Sequence, residues 1–407
     1  MNNISTIGKK CFGCSACKAV CPKTAIKMQE NEEGFLVPVI DENKCVYCGK
    51  CGNVCPALNR WKNDENNKNN KNMHIYAYKN EDVEVLNNST SGGFFSKIIK
   101  EKKPEWICGC IQNSNLKVEH LLTNNILNAK KMCGSKYVQS DLNDVFQKIK
   151  EKLCVKESVL FSGTSCQVHG LLNYLDIMKV PTENLTTVDL ICHGVPSPKI
   201  YFDFLHFYEK AKNVEIQKHK SRSKKYGWGI DLGTLNYTQT IFTKHKVDDS
   251  SLEANLWQNA FFSDFCIRES CYSCPYTTIK KPAEYTIGDF WGVEKIFPNQ
   301  NFSEGCSLVI VKSANAQKLL DGITDLEVNK EDVQCVVSKQ ARLTQPIKCP
   351  ENREQFWQDY HKNGFGYIAE KYFNYTAKSK KYIKIYNILL SFKFYKLADK
   401  ISKLIFY

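Results

Sequence analysis

Two copies of one cysteine motif open the chain, and they constrain its fold more than any other feature. The first copy reads Cys11-x2-Cys14-x2-Cys17-x3-Cys21-Pro22, and the second reads Cys45-x2-Cys48-x2-Cys51-x3-Cys55-Pro56. Thiolates are the protein ligands of iron–sulfur clusters, and this spacing is typical of a module that binds two 4Fe-4S clusters. The close spacing places three thiolates of each run around one cluster.

The fourth cysteine of each run binds the other cluster in ferredoxin modules of this kind. We therefore predict two ligand sets, one formed by Cys11, Cys14, Cys17 and Cys55 and the other by Cys45, Cys48, Cys51 and Cys21. Zinc sites and disulfides are the alternatives. Two perfect copies of the spacing favour iron–sulfur clusters over both.

The cysteine count raises the question of compartment, because the 407 residues include twenty cysteines. Secreted disulfide scaffolds are usually short and begin with an apolar signal segment. This chain is long and begins MNNISTIGKKC. We therefore expect a reducing, cytoplasmic location.

Composition and charge exclude several classes of protein. The chain is 43% hydrophobic and 24% charged, as in soluble globular proteins, and it has no apolar run of the roughly 20 residues that span a bilayer. The formal net charge is +13, but residues 371–407 contain nine lysines and one acidic residue. The rest of the chain is only mildly basic, which argues against nucleic acid as a partner.

The pattern along the chain predicts several regions. We expect a two-cluster domain over 1–61, an Asn- and Lys-rich linker over 62–73, a large domain over 74–370 with parts 74–150 and 151–345, and a basic tail over 371–407. From His74 onward, short apolar runs alternate with amphipathic ones. Buried strands are predicted at 106–111, 158–161, 188–192 and 307–311, and helices at 94–102, 141–153 and 168–175. The expected fold is a mixed α/β domain after a ferredoxin-like module.

Two turns in the large domain are suited to binding phosphate. Ser89-Thr90-Ser91-Gly92-Gly93 opens an amphipathic helix, where free backbone N–H groups favour a phosphate or diphosphate. Gly134-Ser135-Lys136-Tyr137 precedes another helix and adds a cation and a phenol. On these residues alone, a plain helix cap without a ligand is the simpler interpretation of the first turn.

A second group of cysteines is more widely spaced. Cys166 lies in a strand-to-helix turn, Cys192 follows another strand, and Cys271-x2-Cys274-Pro275 comes later. Strand ends of an open α/β sheet converge where ligands bind, so these thiols are candidates for a third four-thiolate site. An iron–sulfur cluster, zinc and unligated thiols all remain open on this pattern alone.

These motifs occur together in an order that resembles a known family. The ferredoxin repeats, the SSGG-like turn, GSKYVQS, F-x-GT-x-CQ, CHGVPSP, SCYSCPY and YTIGDFWG look like the beta subunit of coenzyme F-420 (deazaflavin) hydrogenases and dehydrogenases, over about residues 8 to 345. The resemblance implies an FAD-containing flavoprotein oxidoreductase. It would pass electrons between one-electron clusters and a two-electron hydride carrier or substrate.

The resemblance also implies roles for individual residues. It favours Cys166, Cys192, Cys271 and Cys274 as ligands of a third 4Fe-4S cluster, and Ser91, Gly92, Gly93, Ser135 and Lys136 as flavin-binding residues. Gly288, Asp289 and Trp291 match an element that forms a tight turn under the cofactor, although structural packing is an equal alternative. Ser165 and Glu284 depart from the usual proline and aspartate, and Cys266 is a nearby thiol that could replace Cys166.

Two further features carry hypotheses of their own. His193, beside Cys192, is a candidate catalytic acid/base, with a backbone-bonded structural histidine as the alternative. The tail predicts two short or kinked amphipathic helices, with Ile385, Ile388, Leu389 and Phe392 on one helical face. Its lysines and aromatics suit an anionic membrane surface, but docking on the core or on a partner subunit is equally consistent.

The functional expectation is an oxidoreductase that relays electrons from a ferredoxin-like partner, through the clusters and FAD, to a small-molecule hydride acceptor or a deazaflavin. The reverse direction is equally open. One alternative is an electron-transfer subunit without its own substrate site, which serves a partner enzyme. Another is a regulatory protein that binds clusters without turnover.

Overall fold

The computed structural model describes residues 4–59 and 73–406, so almost all of the predicted linker lies outside the described residues. The strands, in chain order, are β1 (Ile26–Glu30), β2 (Leu36–Ile40), β3 (His74–Tyr78), β4 (Trp106–Gln112), β5 (Val118–Thr123), β6 (Val159–Thr164), β7 (Leu185–Leu190), β8 (Ile216–Lys220), β9 (Thr240–Thr243), β10 (Val247–Asp248), β11 (Tyr285–Asp289) and β12 (Ser307–Val311).

Helices flank these strands along the whole chain. They are α1 (Ala16–Val20), α2 (Lys50–Val54), α3 (Val83–Asn88), α4 (Phe94–Lys102), α5 (Ile126–Met132), α6 (Val145–Cys154), α7 (Ser165–Ile177), α8 (Pro198–Lys212), α9 (Leu252–Phe262), α10 (Val293–Ile296), α11 (Ala314–Asp321), α12 (Val333–Lys339), α13 (Arg353–Tyr372), α14 (Ala377–Ser391) and α15 (Tyr395–Phe406). Short 3-10 helices include Ile230–Tyr237, Glu269–Ser273 and Ala341–Leu343.

The N-terminal module has two similar halves. Each half places a short helix, α1 or α2, inside the cysteine run, and the β1–β2 hairpin joins them through antiparallel pairing from Ile26 with Ile40 to Glu30 with Leu36. The module packs against α6 and α7 of the large domain, where Ala16, Val54 and Phe146 are buried in one shared core. The iron–sulfur module therefore has no independent core in this structure.

A mixed sheet of seven strands organises residues 73–406, in the order β3-β12-β11-β7-β6-β4-β5. The four strands β4, β6, β7 and β11 are parallel, whereas β5 and β12 run antiparallel to their neighbours. A separate antiparallel sheet has the order β10-β9-β8. The predicted mixed α/β class is confirmed.

Successive side chains of β6 pack into two different cores, which shows that the sheet is covered on both faces. Leu160 packs into a core with α4 and α11, while Val159 and Phe161 belong to the core shared with α6, α7 and the N-terminal module. Successive strand residues point to opposite faces, so an apolar run such as this is buried only if both faces are covered. The same reasoning applies to β12, whose five residues are all buried.

The basic tail forms α14 and α15, which pack as a pair. The chain turns between them at Lys393, which has a positive φ of 59°, and the tail thus forms two short helices, as predicted. One face, including Ile383, Tyr386, Leu390 and Ala398, docks on Leu235 and Leu252 of the large domain. Another set of large apolar side chains stays exposed: Ile385, Ile388, Phe392, Phe394 and Leu397.

Candidate functional site

The fourth thiol of each cysteine run lies beside the first three thiols of the other run. Site A, formed by Cys11, Cys14, Cys17 and Cys55, lines one small cavity together with Phe12, Met28 and the prolines Pro38 and Pro56. Site B, formed by Cys21, Cys45, Cys48 and Cys51, lines a second cavity with Ile26, Ile40 and Tyr47. The α1 and α2 elements bring the two runs together, because α1 and α2 pack side by side.

Sites A and B differ in their exposure. All four thiols of site A are buried, whereas Cys48 of site B is exposed and the other three are half-buried. Burial raises the pKa of the Cys14 thiol well above its ordinary value, and the neighbouring Cys55 and Cys17 raise it further. Site B is therefore the part of the module nearest to solvent, and site A lies on the side of the large domain.

A third group of thiols, site C, consists of Cys166, Cys192, Cys271 and Cys274. Cys166 lies in the first turn of α7, Cys192 follows β7, and the other two come from the 3-10 helix Glu269–Ser273 and the residue after it. The four thiols are close enough to raise one another's pKa, as Cys192, Cys274 and Cys166 do for Cys271. The fold thus collects the four widely spaced cysteines in one place.

Burial raises the pKa of all four thiols of site C, and neighbouring groups offset part of that rise. Burial raises the pKa of Cys166 to about 12, but the Thr164 hydroxyl lies 3.2 Å from its sulfur and the Arg268 charge acts in the opposite direction. Burial raises the pKa of Cys192 to about 11 and also raises that of Cys274, and the charge of Lys281 acts against both rises. Cations and a hydroxyl donor beside four sulfurs suit the negative charge of a thiolate-bound cluster. Cys266 does not join them, because its thiol donates to the carbonyl of Ala260 inside the core.

No group of three or more His, Cys, Asp or Glu side chains within residues 4–59 and 73–406 converges on the position of a single metal ion. A cubane cluster has a different requirement, because its four thiolates bind separate corners and lie farther apart than ligands of one ion. The chemistry of sites A, B and C, four thiols each, fits that second arrangement.

Arg268 connects site A to site C through hydrogen bonds. The sequence motifs did not identify it as a functional residue. Its guanidinium donates to the carbonyl of Cys11 at 2.6 Å, to the side chain of Gln139 at 2.8 Å and to the carbonyl of Leu36 at 3.0 Å. The arginine is only 3% exposed, and Ser270 also donates to the Cys11 carbonyl. These bonds fix the N-terminal module against the segment that carries Cys271 and Cys274.

Tyr276 and Gly170 lie where the two sites approach each other. The Tyr276 ring packs edge-on against Phe12, with centroids 5.8 Å apart, and its pKa is raised by burial and by thiols of both sites, Cys166 and Cys14 among them. A Cβ atom at Gly170 would lie 3.0 Å from the Cys14 sulfur. The absent side chain lets α7 come close to site A.

A cavity of about 510 Å³ opens at the carboxyl ends of β6, β7 and β11. This is the edge of a parallel sheet at which open α/β folds bind ligands, and the volume lies in the usual range for small-molecule sites. Cys192 of site C is part of the cavity wall, and so is Thr164, which contacts the sulfur of Cys166. Site C and the cavity are therefore direct neighbours.

Most residues predicted to bind the flavin surround this cavity. The wall contains seven of them: Ser91, Gly93, Ser135, Lys136, Gly288, Asp289 and Trp291. Gly92 is not part of the wall, since its Cβ would lie 2.0 Å from the Tyr78 carbonyl oxygen, and it serves instead the close packing between β3 and β12. Gly93 has a φ of 80° and starts α4, whose first residues Phe94 and Phe95 face the cavity.

Several predicted groups already have protein partners. The Lys136 ammonium donates to the carbonyls of Lys131, Met132 and Cys133 at 2.7 to 3.1 Å, so it caps the end of α5. The Ser91 hydroxyl donates to the Cys306 carbonyl at 2.5 Å. These side chains shape the cavity wall. The Gly92 N–H donates to the Ser307 hydroxyl at 3.0 Å, which leaves the N–H groups at the start of α4 as the part of this turn suited to a ligand.

Asp289 and His193 each belong to a pair. The Asp289 carboxylate accepts from Arg222 at 2.5 Å and from the Trp228 indole at 3.1 Å. His193 lies on the cavity wall, and its Nε2 is 2.7 Å from Oδ1 of Asp264. The histidine is thus held by a carboxylate and not by a backbone group, which is the arrangement that orients an imidazole for proton transfer.

Arg222 and His120 are cavity residues that sequence reasoning missed. The Nε2–H of His120 donates to the Ser162 carbonyl at 3.0 Å, and burial lowers the pKa of this histidine to about 4. Arg222 is buried under the rings of Tyr237 and Trp291. Neither has a local motif, because both come from strands or turns that face the cavity only after folding.

Comparisons with known proteins agree with this architecture. Residues 156–333 match the family model for the carboxyl-terminal part of the beta subunit of coenzyme F420 hydrogenase/dehydrogenase, and residues 10–59 match a 4Fe-4S dicluster domain. The resemblance identified from the motifs is thereby confirmed for these two regions. The chain thus combines a region that matches a 4Fe-4S dicluster domain, an electron-transfer module, with a region related to the carboxyl-terminal part of that beta subunit.

The curated relatives match only the iron–sulfur module. One is a component of the Na⁺-translocating ferredoxin:NAD⁺ oxidoreductase complex of Acetobacterium woodii, 48% identical over 46 residues, which are 11% of this chain and 13% of that protein. Another is an uncharacterized polyferredoxin-like protein of Methanocaldococcus jannaschii, 36% identical over 62 residues, or 13% and 37% of the two chains. The chain therefore spans well under half the length of either relative.

Among solved structures, a chain of the F420-reducing [NiFe] hydrogenase complex of Methanosarcina barkeri is similar, with a TM-score of 0.41 and 13% identity, over 72% of this chain and 92% of that one. As regards membranes, the described residues contain no helix with the length and apolar character needed to cross a bilayer.

Proposed function

We propose that this protein is an iron–sulfur flavoprotein oxidoreductase that connects a one-electron partner to a two-electron small-molecule reaction. The observation that carries the proposal is the position of Cys192, which belongs to site C and also to the cavity wall. A relay of clusters that ends at a cavity able to hold a cofactor and a substrate is suited to redox catalysis. A cluster chain that only served another enzyme would have no need of that cavity.

The order of the sites supports the proposal. Site B has the exposed Cys48 and is flanked by the exposed side chains Val46 and Tyr47, which suits docking of a ferredoxin-like partner. The thiols of sites A and B are near neighbours, as Cys51 raises the pKa of Cys17 and Cys55. Tyr276 then lies between sites A and C. Each site is thus adjacent to the next, from solvent to the cavity.

FAD is the cofactor that we assign to the cavity. A flavin supplies the required junction, because it exchanges electrons singly or in pairs. The residues that would hold it are Ser91 and Gly93 at the start of α4, Ser135, and the β11 end at Gly288. The free N–H groups at the start of α4 suit a diphosphate, and Phe94 and Phe95 give that wall an apolar surface.

His193 is the residue that we assign to proton transfer. Asp264 fixes its Nε2 at 2.7 Å, and the rings of Phe261 and Phe262 hold the imidazole from two sides, at 5.0 and 5.8 Å. A small molecule that gains or loses a hydride often exchanges a proton as well, and an oriented imidazole on the cavity wall is suited to supply it. The substrate itself, including a deazaflavin, is not assigned.

Iron and flavin content, measured together on anaerobically prepared protein, tests the proposal. We expect roughly twelve irons and one FAD per chain. Reduction of the bound flavin by a ferredoxin should then be followed by turnover of a hydride acceptor. About eight irons without flavin, in protein that was never exposed to air, would reject the proposal in favour of an electron-transfer subunit.

One variant tests whether electrons reach the flavin through site C while the flavin itself stays bound. In Cys192→Ser, the expected result is bound FAD that a ferredoxin no longer reduces, because site C loses the thiol that faces the cavity. Cys335→Ser is the matched control, since this thiol is exposed on α12 and away from all three sites. Ferredoxin-dependent flavin reduction at the wild-type rate in Cys192→Ser would contradict the assigned route.

A further inference from the structure

We infer that one end of the cavity, formed by Arg222, Arg342 and Lys339, binds an oxyanion, either a phosphate or a carboxylate, of the small-molecule redox partner. The inference rests on the proposed function, and it adds the chemical class of the substrate. No motif in the sequence pointed to these residues, and Lys339 and Arg342 lie beyond the region 156–333 that matches the family model.

Unpaired guanidinium nitrogens are the main observation. Within the described residues, Nη2 of Arg222 and Nη1 of Arg342 are both buried and have no hydrogen-bond partner, and both arginines line the cavity. A buried charged donor without a partner is costly, because it has lost its water and gained nothing in exchange. Two such donors at one cavity are explained if an anion supplies the missing acceptors.

Arg222 is held rigidly in a position to receive the anion. Its Nε donates to the carbonyl of Asn236 at 2.6 Å and its Nη1 to Asp289 at 2.5 Å, while its guanidinium lies 4.8 Å from the Tyr237 ring centroid and 5.4 Å from that of Trp291. Nη2 has no hydrogen-bond partner among the described residues, and the Tyr137 hydroxyl lies near the same guanidinium. A guanidinium whose other donors are fixed loses little conformational freedom when it binds an oxyanion.

Arg342 and Lys339 come from the segment that covers this end of the cavity. Lys339 ends α12 and is exposed, and Arg342 lies in the 3-10 helix Ala341–Leu343 directly after it. Gln340, between them, donates to the carbonyl of Trp291 at 3.5 Å and so connects the segment to the turn after β11. The covering segment therefore places two cations near Trp291, the ring that also packs on Arg222.

The charge balance of the cavity wall favours an anion. Its ionisable side chains include four cations of Lys or Arg type, Lys136, Arg222, Lys339 and Arg342, against the single acid Asp289. Lys136 is occupied by three carbonyls, and Asp289 is occupied by Arg222 and Trp228. The excess positive charge thus remains at the arginine end.

Arg342 is the residue to change, because removing it disrupts no hydrogen bond of the described structure. The experiment titrates anaerobic, oxidised, flavin-loaded protein calorimetrically with inorganic phosphate in one arm and with succinate in the other. The better of the two anions should bind Arg342→Gln about tenfold more weakly than wild type, which corresponds to one lost charged hydrogen bond. Arg342→Lys should recover part of the loss. The arm with the tighter binding identifies phosphate or carboxylate as the preferred group.

The matched control is Lys348→Gln, which removes the same charge from an exposed side chain outside the cavity wall. It should bind both anions as wild type does, and flavin and iron contents should be unchanged in all variants. Equal anion binding by wild type and Arg342→Gln would overturn the inference. Loss of flavin in Arg342→Gln would overturn it as well, since the arginine would then serve the cofactor.

The same data keep this inference separate from the proposed function. Protein that lacks FAD altogether would reject the proposed function, and titration of that protein would still show whether Arg342 is needed for anion binding. Flavin-loaded protein that binds neither anion would reject only the substrate class.

Discussion

The N-terminal module and the large domain both assemble four-cysteine sites, but in different ways. Sites A and B each take three thiols from one short run and one from its repeat, and apolar side chains line their cavities. Site C takes its thiols from one strand end, one helix start and one 3-10 helix, and cations lie beside it. The module is built for holding clusters alone, whereas the large domain joins a thiol site to a ligand cavity.

The comparison is tested most severely by removing two thiols of site C. Cys271→Ser with Cys274→Ser should lose about four irons per chain, because two of four ligands are gone, while the clusters of sites A and B are retained. Iron analysis and the visible spectrum measure this effect. Cys335→Ser, an exposed thiol on α12, should leave the iron content unchanged. Full iron in the double variant would mean that site C is not a cluster site.

The connection between the two regions depends on Arg268. Arg268→Gln should lower the free energy of unfolding by about 3 kcal/mol, since it removes a buried charge-assisted donor to the carbonyls of Cys11 and Leu36. Arg268→Lys should also be destabilising, because an ammonium cannot reproduce the fork geometry. Thermal unfolding under anaerobic conditions measures both effects.

A surface ion pair near the same junction provides the control. Lys9→Gln removes the ion pair between Lys9 and Glu269, in which the Lys9 side chain is 81% exposed. Exposed ion pairs contribute little to the free energy of unfolding. The unfolding temperature of Lys9→Gln should stay close to that of wild type. If Arg268→Gln behaves like Lys9→Gln, the module is not held to the large domain by this arginine.

Acid should destabilise the protein through buried histidines of the large domain, since the first histidine of the chain is His74. Burial lowers the pKa of His219 from 6.5 to about 4, so the unfolded chain binds a proton that the folded chain does not. Stability from this group is complete above pH 6.5 and falls by about 3 kcal/mol as the pH drops to 4. His120 and His169 have pKa values lowered in the same way.

The variant His219→Gln tests the predicted loss of stability at low pH. The variant loses the bonds of His219 to Tyr201 and Gln239 and should be less stable at pH 7. Its unfolding temperature should nevertheless fall less than that of wild type between pH 7 and pH 5, because glutamine does not titrate. A steeper fall in the variant would show that the histidine is protonated in the folded protein.

The smallest expected effect concerns the tail. Lysines and the exposed residues Ile388 and Phe392 on α14 and its end predict binding to vesicles of anionic lipid. Ile388→Glu with Phe392→Glu should reduce flotation with such vesicles several-fold at low salt, without a change in iron content. Leu127→Glu with Val155→Glu, two exposed apolar positions elsewhere, is the control. Failure of wild-type protein to float would leave docking on the large domain as the role of the tail.

Local sequence was sufficient to predict those elements whose pattern lies within one short stretch of the chain. The ligand sets of sites A and B follow from spacing, and the strand at 307–311 and the helix at 94–102 have the predicted bounds. The helix expected at 141–153 begins later, at Val145, because Asn143 takes a positive φ of 48°. The strand expected at 188–192 lies earlier, at Leu185–Leu190, since Cys192 is already in the turn that forms site C.

Residues that act through distant partners required the tertiary structure. For Cys166, Cys192, Cys271 and Cys274, the pattern left a cluster, zinc and unligated thiols open, and the family resemblance favoured the cluster. Nothing in their spacing states that the end of β7 meets the 3-10 helix Glu269–Ser273. Lys136 and Gly92 illustrate the opposite case, in which a residue that looks suited to a ligand is used by the fold itself.

The sequence by itself determined a two-cluster module, a mixed α/β domain and a basic helical tail, because these depend on spacing and periodicity over a few turns of chain. Only the tertiary structure decided that Arg268 joins the module to site C, that Cys192 faces the cavity, and that Arg222 and Arg342 end there with unpaired donors. Such contacts depend on strand order and on which side chains are buried together, and no local pattern encodes either.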